Sequence, residues 1–396
     1  MAPPPSITVT VPTYWTWEDG RVRPGDVVYD HPTPLGQEGT LARLLESLRI
    51  VKGPEFSVLI ITATTDPKLE EAAEAKVEEI IAPFKGSFPI AQFAASELAL
   101  LRERLARLGF QAADAAGLQQ ELVSLQGYGN VRNLQLIGAY LLGSQVIVGL
   151  DDDEVITDED YLRKATEFIG REHEGEFVGG VGGFYLDSEG SNKLPADERA
   201  SSNIFRRKGA IMNAAIEALE EEPGRLVETP FVLGGNMVLH RRLVEQVPFD
   251  PYITRGEDID YLINARMAGY RFFLDKELSV VHLPPPAGSH LREDVIRFIY
   301  EREKLRLTRY QPGLEAVPPG SLDPYPGIFL GDDLEEQARE ALREQGLPEA
   351  IVDDAKRYAQ EMAPRYFELY RRWPHLMRTL EGDELLKSRL VRKMGL

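Results

Sequence analysis

The sequence predicts an α/β fold, in which a mostly parallel sheet flanked by helices is followed by a C-terminal helical extension. Short segments rich in apolar and β-branched residues alternate with amphipathic helical segments as far as residue 285, and this alternation is typical of a parallel sheet covered by helices. After the prolines at 284–286 every segment is helical by pattern. We therefore expect a sheet domain over residues 1–289 and a helical extension over 290–396.

The elements expected in the first half follow from hydrophobic periodicity. Ser6–Pro12 alternates apolar and hydroxylated residues, which predicts the first strand, and residues 14–38 lack periodicity and predict a long loop. Two further buried strands are expected over 56–62 and 145–150. An apolar residue every three or four positions predicts helices over 40–48, 67–81, 96–108 and 131–142.

The second half is expected to complete the sheet and then to become helical. The glycine-rich segment 176–185 predicts a pair of strands. Further short strands are expected over 231–239, 271–274 and 278–282. Helices are expected over 291–309, 334–345, 349–370 and 384–393.

Composition narrows the class of protein. The net charge of −19 makes a nucleic acid polymer a poor partner, because binding such a polymer requires many surface cations. The absence of cysteine excludes disulfides, thiolate catalysis and cysteine-ligated metals, and fits a cytoplasmic protein. No signal peptide or transmembrane segment is expected, since the longest apolar stretch, 134–150, is interrupted by polar residues.

The strongest motif is a run of acids, Asp151, Asp152 and Asp153, directly after the expected strand 145–150. Ligands of open α/β sheets bind outside the carboxyl ends of strands. Clustered carboxylates repel each other unless a cation joins them, and oxygen ligands favour Mg²⁺ or Mn²⁺. A solvated, helix-capping loop is the alternative, which explains the next acids, 157–160, better than it explains Asp151–Asp153.

A second acidic cluster follows Arg255 and Gly256. Glu257, Asp258 and Asp260 begin an expected helix, and three acids exceed what helix capping requires. We therefore expect a catalytic role for Asp258, with Glu257 beside it.

Three other features are candidates for ligand binding. Gly234, Gly235 and Asn236 allow either close approach of a ligand or a β-bulge, and the sequence favours neither. Arg132 begins a helix, where it either reaches a pyrophosphate or forms a surface salt bridge. His282 ends an apolar strand and is the best candidate among the six histidines for a metal or phosphate ligand, ahead of His31 and His290.

Taken in order, these motifs resemble those of nucleotide-sugar-dependent glycosyltransferases with the GT-A (Rossmann-like) fold, most closely family 2. The matching segments are 7–13, 130–133, 150–153, 234–236, 256–258 and His282. The resemblance implies that Asp151 and Asp153 hold Mg²⁺ or Mn²⁺, that His282 lies near the metal or diphosphate, and that Asp258 is the general base. It implies a UDP- or GDP-sugar donor and a small or glycan hydroxyl acceptor.

The resemblance also implies a donor-binding set. The family usually carries an acid after its second strand, where this chain offers only Thr62 and a displaced Asp66. The C-terminal helices are expected either to cover the acceptor or to form a homo-oligomer. The residues expected around the nucleotide sugar are Pro12, Thr13, Tyr14, Thr62, Asp66, Arg132, Asp151, Asp152, Gly234, Gly235, Asn236 and Arg255.

Several alternatives remain open from the sequence. Inversion with Asp258 as base is favoured, and a retaining GT-A enzyme that makes a glycosyl glycerate-type compatible solute is the nearest alternative. A sugar nucleotidyltransferase would need a glycine-rich basic loop after the first strand, which Pro12–Trp17 is not. A glycosidase would need no diphosphate site, and a non-catalytic carbohydrate-binding protein would not need all three of Asp151, Asp153 and Asp258.

Overall fold

The computed structural model describes residues 6–108, 123–195, 201–285 and 290–396. Within these residues the chain forms one eleven-stranded mixed sheet flanked by helices, which confirms the predicted α/β class. The strands are β1 (Ile7–Thr16), β2 (Thr33–Pro34), β3 (Phe56–Thr64), β4 (Ile90–Phe93), β5 (Val146–Gly149), β6 (Glu154–Val155), β7 (Glu172–His173), β8 (Glu176–Leu186), β9 (Leu226–Glu228), β10 (Met237–His240) and β11 (Arg271–His282).

The central path of the sheet runs β4-β3-β1-β5-β10-β8-β11-β6. The first four strands are mutually parallel, β10 is antiparallel to both of its neighbours, and β11 is parallel to β8. Because β1 and β5 are adjacent and parallel, the segments that follow them leave the sheet at the same edge. That edge is where the acidic motif emerges.

Helices cover both faces of the sheet. In β3 the side chains alternate, so that Leu59 and Ile61 join one apolar cluster while Val58 and Ile60 join another. The helices are α1 (Leu41–Ser47), α2 (Glu70–Ile81), α3 (Ala95–Arg107), α4 (Tyr128–Leu142), α5 (Tyr161–Glu167), α6 (Lys208–Glu221), α7 (Arg241–Val244), α8 (Glu257–Met267), α9 (Leu291–Thr308), α10 (Leu334–Glu344), α11 (Ala350–Leu380) and α12 (Glu384–Lys393).

Several expectations about single elements are wrong. The strand pair expected over 176–185 is one long strand, β8, and the two strands expected over 271–282 are one, β11. The glycines misled the prediction, because they make room for neighbours instead of turning the chain. A Cβ on Gly180 would overlap the ring of Phe272, and one on Gly183 would overlap Asn236.

The segment 231–239 is also different from the expected strand. A 3-10 turn over Gly234–Asn236 interrupts it, and the paired strand β10 begins only at Met237. β1 continues to Thr16, into the expected loop, and α6 was not expected at all. The last long helix, α11, continues ten residues beyond its expected end at 370, through Pro374 to Leu380.

The C-terminal helices pack directly on the sheet domain. Trp373 and Leu376 of α11 are fully buried in the same apolar cluster as α4. Lys304 of α9 is fully buried and lies 2.9 Å from Asp250. The boundary expected at 289/290 stays a prediction, and it falls beside residues 286–289, which lie outside the described residues. No helix in the described ranges has the length and apolar character that a membrane span requires.

Candidate active site

A cavity of about 770 Å³ opens at the edge where β1 and β5 end. It brings together motifs that are far apart in the sequence. The predicted site residues that line it are Pro12, Tyr14, Arg132, Asp151, Asp152, Asp153, Gly234, Arg255, Glu257, Asp258 and His282.

The three aspartates of the acidic motif have different partners. Asp151 accepts a hydrogen bond from Arg132 Nη2 at 2.8 Å. Asp152 accepts hydrogen bonds from the hydroxyls of Thr13, at 2.7 Å, and Thr40, at 3.1 Å. Burial raises the pKa of Asp152 to about 7, against the effect of those two hydroxyls. Asp152 therefore anchors the turn to β1 and α1, which leaves Asp153 as the aspartate available to a ligand.

Asp153 and His282 form the candidate metal centre. The Asp153 Oδ2 atom lies 3.4 Å from His282 Nε2, and its Oδ1 atom is buried with no hydrogen-bond partner among the described residues. Within those residues no group of three histidine and acidic side chains is arranged to hold a metal. One carboxylate and one imidazole fit a divalent cation whose remaining ligands come from phosphate and water. Asp151, expected as a second metal ligand, also lines the cavity, where its Oδ1 atom is ion-paired with Arg132; its part in holding a metal stays a prediction.

Arg132 joins the two acidic motifs. Its Nη2 atom binds Asp151, and its Nε atom binds Glu257 Oε1 at 3.0 Å. The guanidinium is only 6% exposed, so both carboxylates are held by one buried cation. Burial raises the pKa of Glu257 to about 7, although Arg132 opposes the shift. The surface salt bridge considered from the sequence is therefore a buried one in the cavity wall.

Asp258 is fixed by two backbone hydrogen bonds. Its Oδ2 atom accepts from the Gly234 N–H at 2.9 Å, and its Oδ1 atom accepts from the Ile259 N–H at 2.8 Å. Burial raises the pKa of Asp258, while Arg297 and these donors favour its anion. The carboxylate thus occupies one orientation at the start of α8, in the wall of the cavity.

Two glycines permit this arrangement. Gly256, which precedes α8, has φ of +67°, and a Cβ there would overlap the guanidinium of Arg297. A Cβ on Gly234 would come within 2.7 Å of Arg132 Nη2. The close approach of the Arg132 side chain to the backbone, and not a β-bulge, therefore explains the glycine at position 234.

Five of the twelve expected donor-binding residues do not line the cavity: Thr13, Thr62, Asp66, Gly235 and Asn236. Thr13 is nevertheless connected to it through its hydrogen bond to Asp152. Thr62 donates to Gln92 Oε1 at 2.9 Å inside the sheet. Asp66 accepts from the Lys68 N–H at 2.8 Å and caps a short 3-10 turn. The side chains of Thr62 and Asp66 therefore bond to other parts of the protein and do not line the cavity.

Gly235 and Asn236 support the site from behind its wall. The Gly235 N–H donates to Tyr185 Oη at 2.6 Å, and Asn236 donates to the Phe184 carbonyl at 3.1 Å. Asn236 is fully buried and also accepts from Tyr161 Oη at 2.9 Å. Both residues hold the 3-10 turn against β8.

Among the cavity-lining residues that sequence reasoning missed are Tyr185, Lys208 and Arg297. Tyr185 lies near the end of β8, where its hydroxyl is 3.4 Å from Asp151 Oδ2. Lys208 and Arg297 lie in helices whose charged residues look like ordinary solvated positions in the sequence. Only the spatial arrangement of α6 and α9 reveals them.

No protein-family model matches the chain, and no curated protein matches its sequence. Solved structures do match. The mannosyltransferase PcManGT from Pyrobaculum calidifontis, in complex with GDP-Man and Mn²⁺, is 16% identical over 98% of this chain and 89% of its own, with a TM-score of 0.46. TarS from S. aureus is 14% identical over 92% of this chain and 55% of its own, with a TM-score of 0.41.

A third match is glucosyl-3-phosphoglycerate synthase from Mycobacterium tuberculosis, in complex with Mg²⁺ and UDP. It is 18% identical over 71% of this chain and 73% of its own, with a TM-score of 0.33. All three TM-scores lie below 0.5.

Proposed function

We propose that the protein is a metal-dependent glycosyltransferase that moves a hexosyl group from a UDP- or GDP-sugar to a hydroxyl acceptor, with inversion. The observation that carries the proposal is the Arg132 bridge. It joins the acidic motif, in which Asp153 Oδ1 is buried with no partner among the described residues, to the segment that presents Asp258. One cavity therefore contains groups suited to a departing diphosphate and a fixed carboxylate suited to the incoming hydroxyl.

Asp153 and His282 are the residues that would hold Mg²⁺ or Mn²⁺. When bound, such a cation neutralises negative charge that develops on a departing diphosphate. Arg132, buried in the cavity wall between Asp151 and Glu257, would offer the diphosphate a guanidinium that is already fixed in place. The low exposure of this arginine strengthens its interaction with an anion in the cavity.

The transfer step follows from the position of Asp258. A carboxylate oxygen of Asp258 takes the proton of the acceptor hydroxyl while the hydroxyl oxygen itself bonds to the anomeric carbon. The bond between the anomeric carbon and the diphosphate oxygen breaks at the same time, and its electron pair leaves with the nucleoside diphosphate. Attack opposite the leaving group inverts the anomeric centre, whereas a retaining enzyme would not need this base.

A nucleotide-binding panel tests the proposal. Thermal shifts are measured with UDP, GDP, ADP and dTDP, each with Mn²⁺, with Mg²⁺ and with EDTA. We expect stabilisation by UDP or GDP that requires the metal. Asp153→Asn should remove the part of the thermal shift that depends on the metal. The control is Asp158→Asn, which changes a nearby acid that is ion-paired with Lys164, and it should leave the shift unchanged. Absence of a shift with all four nucleotides would overturn the proposal.

The remaining features of the proposal concern partners and location. Proton NMR of the product distinguishes inversion from the retaining alternative. A homo-oligomer through the C-terminal helices stays a prediction, which light scattering on the purified chain would test. A cytoplasmic location is proposed on the absence of cysteine.

A further inference from the structure

Three cationic side chains, Lys208, Arg255 and Arg297, line the cavity from elements outside the acidic motif. We call them the cationic wall. Lys208 binds both carboxylate oxygens of Asp294 at 2.7 Å, and Arg255 Nη1 lies 3.7 Å from the same carboxylate. Arg255 also binds Asp30 at 3.1 Å. Burial lowers the pKa of Lys208, and the charges of Arg255 and Arg297 add to that shift. The three cations thus lie in one cluster, in which Asp294 serves two of them.

Arg297 is the member of this cluster with spare hydrogen-bonding capacity. Its Nε atom donates to Glu301 at 3.0 Å and its Nη1 atom to Tyr325 Oη at 3.3 Å. Its Nη2 atom is buried and has no partner in the part of the chain that the structure describes. The side chain is 3% exposed, so bulk water does not replace the missing partner. Buried donors of this kind are rare, and a planar guanidinium is suited to a carboxylate or phosphate.

The position of Arg297 relates it to the proposed base. Its guanidinium packs against Gly256, two residues before Asp258, and its charge favours the Asp258 anion. A group bound at Arg297 would therefore lie close to the hydroxyl that Asp258 deprotonates. Phe205 and Met212 line the same cavity and offer an apolar surface to a short carbon skeleton.

We infer that the acceptor carries an oxyanion, a carboxylate or a phosphate, next to its reacting hydroxyl, and that Arg297, Lys208 and Arg255 bind this oxyanion. The inference rests on the proposed function, because it assigns the acceptor side of the same cavity. The shared chemistry is a hydroxyl and an oxyanion carried on the same small molecule, since Arg297 and Asp258 line the same cavity.

The test uses pairs of probes that differ in charge. Calorimetric titrations compare lactate with lactamide for the carboxylate, and glycerol 3-phosphate with glycerol for the phosphate. They are run on the full chain with Mn²⁺, with and without a saturating nucleoside diphosphate, so that the donor site is blocked in one series. We expect at least one anion to bind roughly tenfold or more tightly than its neutral partner, and the arm that does so identifies the oxyanion.

Variants assign the binding to the cationic wall. Arg297→Gln should reduce the affinity for the anion roughly ten- to a hundredfold, without changing the affinity for the neutral probe. Lys208→Gln and Arg255→Gln, both at partly exposed side chains, should give smaller losses and carry the test if Arg297→Gln does not fold. The matched control is Arg302→Gln, on the same helix but paired with Glu335 away from the cavity.

The outcomes separate this inference from the proposed function. If nucleotides bind but neither anion is preferred over its neutral partner, the cationic wall does not bind the acceptor and the inference is overturned. The same conclusion follows if all three cavity variants bind the preferred anion as tightly as Arg302→Gln does. If no nucleotide binds, the proposed function fails, whatever the anions do.

Discussion

Asp258→Asn is the substitution that tests the proposed base most directly, and the structure shows that it changes more than basicity. The two oxygens of Asp258 accept hydrogen bonds from the N–H groups of Gly234 and Ile259. The asparagine carbonyl oxygen can accept only one of these bonds, and the amide NH₂ then faces the other N–H. One buried donor is left without an acceptor, which costs about 1–3 kcal/mol of folding free energy.

The expected loss of turnover is larger than this structural cost. General base catalysis contributes roughly 10²–10⁴-fold, which corresponds to about 2.7–5.4 kcal/mol in the activation free energy. We therefore expect the turnover number of Asp258→Asn to fall by that factor in steady-state assays of nucleoside diphosphate release. The dissociation constant of the donor nucleotide, measured by calorimetry, should change by less than about threefold, because the proposal gives Asp258 no contact with the donor.

A matched control separates chemistry from folding. Asp383 also accepts a backbone N–H at a helix start, from Leu386 at 3.1 Å, and is ion-paired with Arg104. Asp383→Asn should lower the unfolding free energy while leaving the turnover of folded enzyme unchanged. The reasoning is refuted if Asp258→Asn, assayed where it is fully folded by circular dichroism, turns over within about threefold of the wild type. A product of retained configuration would equally remove Asp258 from the role of base.

Three further predictions concern the metal, the pH profile and the buried charges. Chelation with EDTA should abolish transfer and Mn²⁺ should restore it, and Asp153→Ala should abolish transfer with an unchanged far-ultraviolet circular dichroism spectrum; full activity after chelation would contradict the metal assignment. Burial raises the pKa of Asp258 above its ordinary value of 3.8, and only the anion can act as a base. As the pH falls, kcat/KM should therefore begin to decline at a pH above 3.8. A profile that stays level down to pH 3.8 would contradict the assignment of Asp258 as the base. Lys304→Met should lower the unfolding free energy in urea by about 3–5 kcal/mol, since it leaves two buried carboxylates, Asp250 and Asp260, without their cation; a loss below about 1 kcal/mol would contradict a stabilising role for this ion-pair cluster.

The sequence predicted those parts of the fold that depend on local pattern. The strand that precedes Asp151–Asp153 is predictable because apolar residues run directly into acids, and the helix that begins at Glu257 because acids and apolar residues follow a glycine. These are local signals, and the structure places both at the cavity.

The features that sequence reasoning missed depend on distance in space. β8 was misjudged because its glycines fit the ring of Phe272 and the side chain of Asn236, which lie far along the chain. Arg132 was recognised as a candidate, but the fact that one guanidinium binds both Asp151 and Glu257 has no trace in the spacing of those residues. Arg297 carries no motif at all, and its significance arises only from a buried nitrogen without a partner among the described residues.

The contacts of Lys304 show that the C-terminal helices support the elements that carry the candidate site. Lys304, on α9, binds Asp260, which lies two residues after the proposed base on α8, and Asp250, which also accepts from Tyr300 at 2.7 Å. The residue before Asp250, Phe249, exchanges two hydrogen bonds with Asn133, the neighbour of Arg132 on α4. One buried lysine from the C-terminal region therefore connects the segment that carries the base to the segment that carries the arginine bridge. Since a buried charge remains stable only with its partners in place, these elements are expected to form and to be lost together. The extension beyond residue 290 is thus a structural part of the proposed catalytic unit.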